Sequence, residues 1–80
     1  MAPTVFKHKQ YRFFFFSQEE SRTHIHVETN DGEAKFWIEP VVALADFQKI
    51  SKKELNEIQK IIEGRTLEIT KAWKKHFPKS

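Results

Sequence analysis

Hydrophobic positions change their period once along this chain. Between Thr4 and Ile38 they alternate or form short blocks, whereas from Ser51 onward they recur every three or four residues. The first pattern predicts strands and the second an amphipathic helix. Thr4 to Lys9 reads as a short strand and Tyr11 to Ser17 as a longer one, joined by a tight connection at Lys9 and Gln10. The second strand is apolar on both faces from Phe13 to Phe16. Four consecutive Phe at an open edge would invite aggregation, so this strand belongs inside a sheet. Ser17 to Thr23 is polar and reads as a loop. His24 to Glu39 then forms two alternating runs around Asp31-Gly32, a dipeptide that suits the type I′ turn of a two-residue hairpin. With those two residues at the centre, Glu28 faces Lys35, His26 faces Trp37 and His24 faces Glu39. All six share one side, and Ile25, Val27, Ala34, Phe36 and Ile38 make the opposite side apolar.

Pro40 has no N–H to donate and ends the ladder. Val41 to Ala45 is expected to add a short edge strand. Ser51 and Glu54 have the spacing of a capping box, which starts a helix. Leu55, Ile58, Ile62, Ile69, Trp73 and Phe77 keep one stripe toward the sheet. Gly64 weakens the middle, yet Glu63-Gly64-Arg65-Thr66 contains neither a proline nor a second clear cap. The expectation is therefore one long helix ending at Pro78. Together these elements predict a single α+β domain over residues 1–80: a small, mostly antiparallel sheet of three to five strands with one long C-terminal helix packed on its apolar face.

Composition narrows the setting. Eighty residues with 39% hydrophobic and 31% charged content fit a small folded globule with a wet exterior. Cysteine is absent, which removes disulfides and thiol chemistry and fits a reducing interior. No apolar run reaches the length of a signal peptide or a membrane span, so a cytoplasmic protein without membrane contact is expected. The net charge of +3 is unevenly placed: residues 1–50 carry six Lys and Arg against seven acids, and residues 51–80 carry eight against four. Lys71, Lys74, Lys75 and Lys79 form the surplus. They offer a surface for nucleic acid or an acidic protein, or complement the helix dipole.

The hairpin carries the candidate chemistry. His24, His26 and Glu28 at alternate strand positions project the same way, and with His8 or Glu39 as a further ligand they would form a divalent-metal site. A second possibility needs no metal or cofactor. Two histidines can divide general acid and base roles on a phosphodiester, with Lys35, Arg12 and Arg22 meeting phosphate charge and Trp37 stacking on a base. These are the parts of a metal-independent ribonuclease or of an RNA-binding face. A third reading is purely structural: Glu28 with Lys35 and His24 with Glu39 are surface ion pairs, and Trp37 packs under a loop or a partner. A lone Trp on a polar face favours burial by self-association or by a second protein.

The segments Pro3-Thr4-Val5-Phe6, Tyr11 to Ser17, His24-Ile25-His26-Val27-Glu28, Gly32 to Pro40, Glu54-Leu55 and Ala72-Trp73 span nearly the whole chain. In these it resembles a family of small bacterial proteins known only as a domain of unknown function. That family usually has a Gly-Gly turn before the Phe-rich strand and prolines ahead of the histidines, where this chain has Lys9-Gln10 and Arg22-Thr23. The resemblance implies one half of a two-gene, toxin–antitoxin-like pair. It thus favours RNA or a small protein encoded nearby as the partner.

Overall fold

The computed structural model describes residues 4–16 and 22–77. Five strands, β1 (Thr4–His8), β2 (Tyr11–Phe14), β3 (His24–Glu28), β4 (Glu33–Trp37) and β5 (Ala43–Gln48), form one antiparallel sheet in chain order. Two helices follow, α1 (Lys52–Gly64) and α2 (Thr66–His76). β2 lies between β1 and β3, as its Phe run requires. It is shorter than expected, ending at Phe14, and Ser17 lies outside the described residues. β5 starts two residues later than the pattern implied and runs on to Gln48.

Alternation sorts the strands into two sides. Phe13, Phe15, Ile25, Val27, Ala34, Phe36 and Ile38 form one core with Leu55, Ile58, Ile62, Ile69, Trp73 and Phe77. The helical stripe anticipated from spacing is therefore the buried one. Ser51 caps α1 through the Glu54 N–H, and the Glu54 carboxylate returns to the Ser51 backbone, completing the box.

The single long helix is instead two. At Arg65 the backbone leaves helical geometry, with φ −127° and ψ 24°. The Arg65 N–H turns back to the Ile62 carbonyl at 3.0 Å, and the Thr66 hydroxyl donates to the carbonyls of Ile62 and Glu63 at 3.2 and 3.0 Å. Two of the final carbonyls of α1, those of Ile62 and Glu63, are thus satisfied without a glycine cap. The break also sets the Arg65 guanidinium over the Phe6 ring at 4.4 Å. Ile62 and Ile69 are seven residues apart, within about 20° of two full turns, so the apolar stripe resumes in phase after the interruption.

The β3–β4 hairpin also differs from its expected form. His24 pairs with Trp37, His26 with Lys35 and Glu28 with Glu33, which makes Asn30 and Asp31 the central turn residues. Among the described residues only Lys9 and Lys49 have positive φ, so this is not a type I′ turn. Thr29 holds it instead: its Oγ1 accepts from the Asp31 and Gly32 N–H groups at 3.2 and 2.9 Å. Gly32 is needed for closeness, because a Cβ there would overlap the backbone carbonyls of Gln48 and Lys49 at the end of β5. The register moves by two residues, an even number, and every side chain keeps the face it was assigned.

A latch joins the β1–β2 turn to α1. Lys9 bonds the Glu57 carboxylate, which also accepts the Tyr11 hydroxyl at 2.8 Å. These two hydrogen bonds hold the Glu57 carboxyl below its ordinary range. Burial, reinforced by the Glu57 bond, pushes the Tyr11 hydroxyl up to about 12.

Candidate nucleic-acid interface

One side of the sheet gathers Arg12 and Phe14 from β2, His24, His26 and Glu28 from β3, Glu33, Lys35 and Trp37 from β4, and Asp46 and Gln48 from β5; it is the side opposite the core, and α2 reaches it at His24 through a ring contact. Its centre is a row of rings. Phe14 stacks on His26 at 5.6 Å, Phe16 meets His26 edge-on at 4.3 Å, and His26 meets His24 at 5.1 Å. His24 continues to Trp37 at 5.8 Å. Cations lie over this row: Arg12 over Phe14 at 4.5 Å, and Arg22 and Lys35 over Trp37 at 4.3 and 4.5 Å. Each contact is within cation–π range.

Of the residues singled out in the sequence, His24, His26, Lys35, Trp37, Arg12, Arg22 and Glu28 do come together on this side. Their environments differ. His24 is only 2% exposed, enclosed also by Trp73 of α2 at 5.0 Å. Its Nδ1 lies 2.9 Å from the Arg22 carbonyl, which can only accept, so Nδ1 carries the proton. His26 and Lys35 are half-buried neighbours across β3 and β4. Trp37 is half-buried rather than left in water, since Arg22, Lys35 and His24 pack against it. Arg22 is fixed there by donating from Nε to the Glu39 carbonyl at 2.9 Å.

The metal alternative does not assemble. Glu28 pairs with Arg12 at 3.2 Å, and Glu39 accepts the Thr23 hydroxyl at 2.7 Å. Among the described residues no group of three or more His, Cys, Asp or Glu is arranged to hold an ion, the His24, His26 and Glu28 trio included. The expected ion pairs of Glu28 with Lys35 and of His24 with Glu39 do not match the register either. Lys74 and Lys75 sit with His76 in the last turn of α2, where cations complement the helix dipole, and belong to the helical layer. Lys79 lies outside the described residues.

Two aromatic members of the face were not anticipated as site residues. Phe14 and Phe16 supply the second apolar face of the Phe run: they alternate away from Phe13 and Phe15 and flank His26, Phe14 buried beneath Arg12. Phe16 is 45% exposed. Their signal was present in the period of two, which places them with His24 and His26 once β2 pairs with β3. Asp46, beside Lys35, depended on where β5 docks and had no such signal.

A five-stranded antiparallel sheet backed by two helices, with aromatic and cationic side chains on its other side, defines a small α+β module. The chain belongs to the family described as a domain of unknown function, DUF4160, whose model matches residues 11–74. No curated protein and no solved structure matches it. Among the described residues no helix is long and apolar enough to cross a membrane.

Proposed function

We propose that this protein is the RNA-binding member of a toxin–antitoxin-like pair and holds single-stranded RNA on the open side of its sheet. One observation carries this reading: the ring row from Phe16 through His26 and His24 to Trp37, overlaid by Arg12, Arg22 and Lys35. Sheet-borne aromatics take unstacked bases, guanidinium planes extend the stacking surface, and cations meet the phosphates. The enclosure of His24 favours binding over cleavage, because an acid–base pair needs both imidazoles within reach of the substrate. In this role His24 positions His26 and Trp37.

The test is fluorescence anisotropy with short single-stranded RNA across a salt series. Binding is expected to weaken with salt, and Phe16→Ala is expected to cost about 1 to 3 kcal/mol of affinity, the usual value of one stacked base. Failure to bind at low salt, or an unaltered affinity in the variant, overturns the proposal.

A second reading is a non-catalytic interaction module, favoured by the edge strand β5. Leu44 and Phe47 pair with Phe36 and Ala34 and so lie on the helix side, yet they are 39% and 48% exposed. A small protein partner or a second copy would cover them. Light scattering on the isolated chain, followed by mixing with the neighbouring gene product, separates this reading from RNA binding.

A further inference from the structure

The open side is not uniformly cationic. Between β3, β4 and β5 lies a shallow depression whose polar lining is His26, Glu33, Lys35, Asp46 and Gln48, with Ala34 and Phe47 also contributing. Lys35 stands directly opposite Asp46, and Glu33 opposite Gln48. Cross-strand partners have Cβ atoms about 4.5 to 5.5 Å apart, so Lys35 and Asp46 rise from adjacent positions on one side; the Lys35 ammonium rests over the Trp37 ring at 4.5 Å, and its flexible stem lets it swing to a ligand beside Asp46. Asp46 is exposed, and one of its oxygens accepts the Phe47 N–H at 2.8 Å, which fixes the carboxylate plane.

Two carboxylates make this depression a poor place for a phosphate, since Asp46 and Glu33 repel it. A base edge fits better. His26 forms one wall, so a base packed against the β4 side of its ring would direct its edge toward β5. Guanine alone among the four RNA bases offers two adjacent donors, N1–H and the N2 amino group, beside an acceptor, O6. A carboxylate takes the two donors in parallel and an ammonium takes O6. Uracil presents one donor between two acceptors and would set a carbonyl against the carboxylate. Adenine and cytosine each offer a single amino donor beside a ring-nitrogen acceptor.

We infer that this depression reads guanine, with the Asp46 carboxylate accepting from N1–H and the N2 amino group and Lys35 donating to O6, while the rings and arginines hold the chain of nucleotides without regard to sequence. The inference rests on the RNA-binding reading above and assigns its base preference. Glu33 and Gln48 close the far side and bias the depression further toward amino-bearing edges.

The experiment is competition between oligouridine and the same oligomer carrying one guanosine, measured by anisotropy with the full chain. The guanosine oligomer is expected to bind roughly five- to a hundredfold more tightly, the range of one good bidentate base contact. Replacing that guanosine by inosine, which lacks only the N2 amino group, is expected to remove most of the preference. Asp46→Asn keeps the shape and the Phe47 contact, and is expected to bring the guanosine-to-uridine ratio close to one. Equal binding of the two oligomers, or a preference that survives Asp46→Asn, overturns guanine readout while RNA binding stands. Binding of neither oligomer overturns both.

Discussion

The two sides of this sheet are built from the same strands and obey opposite rules. On the covered side Phe13, Ile25, Val27, Phe36, Ile58, Ile62 and Ile69 are wholly buried. Their cohesion is apolar contact, worth about 1.5 to 3 kcal/mol for each fully buried large side chain. On the open side the rings of Phe16, His26 and Trp37 stay accessible or half-accessible beneath cations, and their polar neighbours are already hydrogen-bonded or paired. No described buried side-chain nitrogen or oxygen lacks a partner. The difference teaches that the open side is not unfinished core. It is a surface on which Arg12 lies over the buried Phe14 ring, Arg22 and Lys35 over Trp37, and Phe16 stays exposed.

The covered side is expected to dominate stability. Ile62→Ala is expected to cost about 2 to 5 kcal/mol, because Ile62 is fully buried between α1 and the sheet. Denaturant melts check it, and an unchanged midpoint would remove the helix-on-sheet core.

A smaller, pH-dependent effect should come from the latch at the border of the two layers. The Glu57 carboxyl titrates lower in the fold than in the unfolded chain. Its contribution is therefore present above the ordinary carboxylate range and lost as pH falls through the folded value. Tyr11 is raised from 10.0 to about 12, so its contribution is full below pH 10 and disappears as pH climbs through that window. Thermal melts against pH should show an acid limb flattened by Glu57→Gln and an alkaline limb flattened by Tyr11→Phe. Identical profiles for wild type and variants would dismiss the latch.

The least effect on stability is expected on the open side. Phe16→Ala should alter the unfolding free energy by no more than about 0.5 kcal/mol, as for an ordinary surface change, even as it weakens RNA binding. A loss comparable to that of Ile62→Ala would mean that the open side is structural after all.

Much of this architecture was legible from local rules. Period two placed Ile25, Val27, Phe36 and Ile38 on one side and the histidines on the other, period 3.6 picked out the buried stripe, and Ser51 with Glu54 marked the start of α1. These features depend on residues within a few positions of one another. Gly64 was the one local sign of the helix break and could not decide it, because Ile62 and Ile69 preserve phase across the interruption. Gly32 looked like a left-handed turn residue, although its role is to let the backbone of β5 approach.

Which side chains share a side of each strand and helix is written in the order of residues, because alternation and helical pitch are properties of the backbone alone. Which of those sides is covered, and what meets across strands, is settled by the packing of the folded chain. The helices enclose His24 but leave Phe16 exposed, and the docking of β5 brings Asp46 beside Lys35. Such meetings depend on contacts between segments far apart in the chain, which no local period encodes.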